Sequence, residues 1–134
     1  MIPKDVLQNA QKLVELAFEE DLNVRGDITS EAAAPQNLQI TARIVSKQVG
    51  RLAGLDIAKQ AFQYIDPKIE FKPLVADGDP LIVKQDVAII SGNAAAILKA
   101  ERTALNFLGH LSGIATATAA LVEAIRGTKA NILD

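Results

Sequence analysis

The chain has 134 residues, 49% of them hydrophobic and 22% charged, with a formal net charge of -2 and a pI near 5.4. That composition supplies one ordinary folded core and excludes a disordered tail. It gives no basic field to neutralise a phosphate backbone, and with only four Phe and one Tyr to stack on bases, nucleic acid is not an expected partner. The lack of cysteine excludes disulfides, thiolate metal sites and a cysteine nucleophile, and is compatible with a reducing cytoplasm. A single histidine leaves little room for a histidine-based metal cluster.

The opening "MIPKDVLQNAQKLVELAFEED" carries acids and amides throughout, unlike the apolar centre of a signal peptide. Val6, Ala10, Leu13, Val14 and Ala17 recur at helical spacing, which predicts a first helix over residues 4–20 with Pro3 tolerated at its start. "LNVRGDITSE" then breaks the period. It reads as an ordered loop, in which Gly26 frees the backbone and Asp27, Thr29 and Ser30 can bond nearby N–H groups. Residues 38–47 alternate Leu38, Ile40, Ala42 and Ile44 with polar positions, the period of a half-buried strand, and "GRLAG" suggests a second extended piece.

Leu55, Ala58, Ala61, Phe62 and Ile65 share one face of a second helix over 55–65, ended by Asp66-Pro67. Strands follow in "KIEFKPLV", "LIVK" and "DVAIIS", with "ADGDP" as a turn between them. From Ala94 to about Gly127 the chain reads as helical, with Ser112-Gly113 as a candidate joint. "KANILD" looks like the opening of a buried strand with nothing to pair against, the start of a further α/β unit, so a truncated chain is expected. No apolar run reaches bilayer length, so neither a membrane partner nor a location outside the cytoplasm is expected.

One helical stretch stands out. In "AERTALNFLGHLSGIAT", Ile97, Leu98, Ala104, Leu105, Leu108 and Leu111 fall within one broad arc, and Glu101 lies near its middle. Burial of that carboxylate requires a partner, so Glu101 is expected to face inward and hold the helix by a structural bond. Arg102 falls at the arc's edge, with Asn106 and Gly109 further along it, so the helix carries a polar seam beside its apolar face. His110 lies away from that edge and reads as a surface or interface residue.

Taken in order, "EEDLNVRGDITSE", "GRLAGLDIAKQAF", "ADGDPLIVKQ", "AERTALNFLGHLSGIATATAALVEAI" and the closing "ILD" resemble the N-terminal part of the quinolinate phosphoribosyltransferase family, also called nicotinate-nucleotide pyrophosphorylase (carboxylating). The resemblance implies an α+β fold. Residues 1–110 would form an N-terminal α/β sandwich, and residues 111–134 a helical segment and the first strand of a truncated α/β barrel. It implies transfer of a phosphoribosyl group from phosphoribosyl pyrophosphate to quinolinate with decarboxylation, giving nicotinate mononucleotide for NAD synthesis. It also implies magnesium, a homodimer, and an active site built mostly from barrel strands beyond Asp134. Arg102, in the "ERTALN" match, corresponds to the arginine that reaches across the family's dimer interface to a quinolinate carboxylate. No catalytic residue and no metal ligand carries over, and Asp134 is only a neighbour of the family's site.

Three other readings remain beside this one. A related phosphoribosyltransferase of the molybdenum-transport-associated type would act on another aromatic acid. A biotinyl- or lipoyl-like carrier is suggested by "ADGDPLIVKQD", but such a carrier needs an exposed lysine at a hairpin tip, and Lys84 is expected inside an alternating strand. The third is a non-catalytic dimerisation module.

Overall fold

In the computed structural model, residues 3–25 and 37–133 are described. They form helix α1 (Lys4–Arg25), strands β1 (Gln39–Val45) and β2 (Gly50–Arg51), helix α2 (Leu55–Ile65), strands β3 (Glu70–Pro73), β4 (Pro80–Leu81) and β5 (Asp86–Asn93), and helix α3 (Ala94–Ala124). β1, β5 and β3 make an antiparallel sheet in the order β1-β5-β3, while β2 and β4 pair separately. Its register places Ile44 opposite Ala88 and Phe71 opposite Ile90, so one sheet face gathers the buried side chains and α2 and α3 cover it. The other face carries Thr41 bonded to Ser91 and Arg43 paired with Asp86. This is the α+β architecture expected, in two layers.

α2 and α3 pack through small residues. Ala58 and Ala61 of α2 and Ala100 and Ala104 of α3 are all completely buried, and side chains that short let the helices approach closely. α1 lies against α2, burying Ala10, Val14 and Phe18, and the Phe18 ring stacks on Tyr64 at a centroid distance of 5.4 Å. Val6 and Leu13, expected on the buried face of α1, remain 47% and 56% exposed, because the contact turns toward Phe18 instead.

Several boundaries differ from the sequence reading. α1 runs on to Arg25, since nothing in the acidic run after Phe18 breaks a helix; Gly26, Asp27, Thr29 and Ser30 lie outside the described residues. α3 passes through Ser112-Gly113 without a joint as one 31-residue helix, about 46 Å long. A lone glycine weakens a helix without ending it when flanking turns are held. α3 is therefore long and apolar enough by composition to cross a membrane, contrary to the reading of the sequence; its buried residues, Ala94, Ile97, Ala100, Thr103, Ala104 and Leu108, lie in its first half and face the sheet and α2. Residues 130–133 form no strand among the described residues, and Leu133 is 88% exposed: no sheet edge lies alongside them.

The element that fixes α3 is the segment following β1. Along residues 51–53 the N–H groups alternate in direction. Leu52 donates to the Asp79 carbonyl at 3.0 Å on one side, while Arg51 donates to Thr116 Oγ1 at 2.9 Å and Ala53 to Ser112 Oγ at 3.0 Å on the other. Ser112 Oγ returns a proton to the Ala53 carbonyl, and Thr116 Oγ1 donates to the Ser112 carbonyl. Asp77, in the turn before β4, caps α2 from outside by accepting from Gly54 N and Leu55 N, both at 3.1 Å. Glycine is required at Gly54, where φ is 101° and an added Cβ would stand 2.8 Å from Leu111 Cδ1.

Gly54→Ala is accordingly expected to cost about 1–3 kcal/mol in urea denaturation. Gly109→Ala, mid-helix with nothing within 4 Å of the added Cβ, should instead gain about 0.5–1 kcal/mol. Thr116→Val keeps the shape but removes the acceptor of the exposed Arg51 N–H, and should lose about 0.5–1.5 kcal/mol in the same assay.

Candidate functional site

The buried face of α3 consists of Ala94, Ile97, Ala100, Thr103, Ala104 and Leu108. On a helical wheel Arg102 and Asn106 each stand about 160° from the centre of that face, so both point away from the domain's own core. Both are exposed, and among the described residues neither side chain has a hydrogen bond or ion pair. Gly109 lies on the same side one turn further on. The three residues thus share one strip, but it lies on the outer surface of α3, opposite the buried face and not at its edge where the spacing had placed it. His110 is exposed as well.

Glu101 departs from its expectation. It is exposed and without a partner among the described residues, so it does not hold the helix by a buried bond. The apolar arc had been centred by its leucines, whereas the helix docks by its alanines. The cover on α3 comes from the side of Ala100, Thr103 and Ala104, leaving Leu98 and Leu105 at 40% and 39% exposure and Glu101 beside them in solvent. What anchors the helix is the pair Ser112 and Thr116, which sequence reasoning passed over. Two hydroxyls four residues apart in an apolar helix were the available signal.

Lys84 also departs from its expectation. It sits in the turn between β4 and β5, not within a strand, with φ of 65° and its N–H donated to the Ser46 carbonyl. β4 closes at Leu81, and the Ile82 N–H is taken by the Gln85 side chain in place of a strand neighbour. Strand placement thus gives no ground for setting a carrier lysine aside.

A groove of about 470 Å³ separates α3 from the β1–β2 connection, lined by Val49, Leu52, Leu105, Gly109, Ser112 and Thr116 among others. Arg102 does not line it, so the groove and the polar seam are neighbouring features of one helix and not a single cavity. For metal binding, no three His, Asp or Glu side chains converge among the described residues. The nearby carboxylates of Asp77 and Asp79 are already committed to backbone N–H groups. The described residues thus do not fit a magnesium site.

The family model for the quinolinate phosphoribosyl transferase N-terminal domain matches residues 27–112. The chain belongs to the quinolinate phosphoribosyltransferase family. Within it, the chain is 38% identical over 127 residues to a nicotinate-nucleotide pyrophosphorylase (carboxylating) of Mycobacterium leprae, and covers 93% of itself and 45% of that relative. It is 33% identical over 122 residues to the chloroplastic nicotinate-nucleotide pyrophosphorylase of Arabidopsis thaliana, covering 91% of itself and 35% of the relative. The solved structure of the nicotinate-nucleotide pyrophosphorylase from Francisella tularensis superposes with a TM-score of 0.82 at 33% identity, over 93% of this chain and 42% of that one. The chain thus spans less than half the length of these quinolinate phosphoribosyltransferases. Their names favour a phosphoribosyltransferase over a biotinyl or lipoyl carrier.

Because Glu101 and Arg102 are exposed and make no hydrogen bond or ion pair among the described residues, Glu101→Ala and Arg102→Ala should each leave the unfolding free energy within about 0.5 kcal/mol of the parent chain. A loss of several kcal/mol for Glu101→Ala in chemical denaturation would restore the inward-facing role.

Proposed function

We propose that this chain supplies the N-terminal domain of an enzyme that transfers a phosphoribosyl group from phosphoribosyl pyrophosphate to quinolinate, yielding nicotinate mononucleotide, pyrophosphate and carbon dioxide. Residues 1–110 form that domain and residues 111–134 lead into the barrel that would complete the enzyme. The observation that carries the reading is Arg102, in a chain of this family: a guanidinium pointing away from its own core, on a long anchored helix, with no partner among the described residues. Such a group is placed to act on another molecule. In a homodimer it reaches the neighbouring subunit's site.

The chemistry explains why an arginine suits that place. Quinolinate is a dianion, and a planar guanidinium grips a carboxylate through two parallel charge-assisted bonds, which an ammonium group cannot reproduce. In the reaction the ring nitrogen forms a bond to the sugar carbon as the bond to pyrophosphate breaks. Positive charge develops on the sugar and negative charge on the leaving group. The carboxylate beside the nitrogen then departs as carbon dioxide, and the electron pair left on the ring carbon takes up a proton. Arg102 orients the ring acid for the first step and cannot by itself stabilise the second. Magnesium, which the family resemblance implies, would have to be held by residues other than those described.

A cytoplasmic location goes with this reading, on the absence of cysteine, although the Arabidopsis relative is named chloroplastic.

Residues 1–134 alone should form no nicotinate mononucleotide from quinolinate, phosphoribosyl pyrophosphate and magnesium. In an enzyme of the length its relatives have, Arg102→Ala should weaken quinolinate binding by about 1.5–3 kcal/mol while phosphoribosyl pyrophosphate binding changes little, and Arg102→Lys should rescue only in part. Mixing Arg102→Ala subunits with subunits disabled only in the barrel should restore activity through hybrid dimers carrying one intact site. Verified hybrids without activity would remove the assignment across the interface.

A further inference from the structure

Nothing among the described residues accounts for Asn106. It lies in the interior of α3, where asparagine is disfavoured relative to alanine because its amide competes for backbone groups. It caps nothing, since the helix begins at Asn93 and ends at Ile125. Its side chain has no partner among the described residues. It stands four residues beyond Arg102 on the same outward face, which puts the two Cβ atoms about 5–6 Å apart. One turn on, Gly109 leaves the helix surface bare, with nothing within 4 Å of where its Cβ would be. A short amide donor, a long guanidinium donor and an open floor therefore share one strip of helix.

We infer that Asn106 is a second substrate-binding residue, whose side-chain N–H donates to the ring carboxylate that Arg102 does not hold, so that the pair recognises two carboxylates on adjacent ring carbons. The inference rests on the assignment of Arg102 to the quinolinate site. The unequal lengths of the two side chains suit it. Asn106 fixes a point close to the helix surface, and the flexible arginine swings its planar fork to the neighbouring carboxylate. Gly109 gives the ring edge room against the backbone. The consequence is selectivity for the diacid, because a ring with one carboxylate satisfies one donor and leaves the other without its acceptor.

The test uses the dimeric enzyme of the length its relatives have, with calorimetric titration of quinolinate and of two monoacids, pyridine-2-carboxylate and pyridine-3-carboxylate. Asn106→Ala should raise the quinolinate Kd about tenfold while at least one monoacid changes less than about twofold, and Asn106→Asp should be worse than alanine through charge repulsion. The melting temperature of Asn106→Ala should match or exceed the parent's, which separates the loss from misfolding. Unchanged quinolinate affinity in Asn106→Ala, with Arg102→Ala still impaired, overturns the role of Asn106 and leaves the Arg102 site standing. An equal loss for the diacid and both monoacids overturns the diacid selectivity. Quinolinate affinity unchanged in Arg102→Ala itself removes the site on which the inference rests.

Discussion

A helix takes the place of a missing β-strand neighbour. The segment after β1 pairs on one side with the chain around β4, and its other side would present the N–H groups of Arg51 and Ala53 to no acceptor. Two residues of extended chain advance about 6.6 Å, and four residues of α-helix about 6 Å. Hydroxyls at positions four apart on a helix can therefore match N–H groups two apart on a strand, and Ser112 and Thr116 do so. Each bond is worth only about 0.5–1.5 kcal/mol net, and leaving the part-buried Ala53 N–H unmet would cost more than leaving the exposed Arg51 N–H, which water can reach.

The rest of the domain is arranged around that contact. An added Cβ at Gly50 would stand 2.6 Å from Thr116 Oγ1, so the helix can sit this close only against bare backbone. Asp77 draws the β3–β4 turn onto the start of α2, and Arg51 Nη1 donates to the Gly78 carbonyl in the same turn. "GRLAG", "ADGDP" and "LSGIAT", which carry the family resemblance in the sequence, thus meet in space as a docking node. "ERTALN" is different in kind: its buried members, Thr103 and Ala104, belong to the fold, whereas the exposed Arg102 and Asn106 have no hydrogen-bond or ion-pair partner among the described residues.

Division of labour along α3 follows. Its first half is held by alanine packing against α2 and by contact with the sheet, and its middle by the two hydroxyls. Beyond Thr116 the helix continues with Leu121 and Val122 more than half exposed. A polar seam carried on the clamped part of such a helix keeps its backbone position without contacts of its own. That is the condition for presenting a side chain to another molecule with little loss of precision.

The sequence by itself determined the α+β class, the existence of the two core helices and the main strands, and the alignment of Arg102, Asn106 and Gly109 along one strip of α3. Each is written in local periodicity: 3.6 for α2 and α3, two for β1, and the stop at Asp66-Pro67. Tertiary structure decided which side of α3 is the inside. Periodicity shows that a helix has an apolar side but weighs leucine above alanine, whereas close helix–helix packing selects the smallest residues; Glu101 was therefore assigned inward and stands in solvent. It also decided that Lys84 turns where alternation continued, because β4 ends as Ile82 bonds the side chain of Gln85. Finally it gave Ser112 and Thr116 their partners, some sixty residues away in the chain, a distance over which no local pattern carries information.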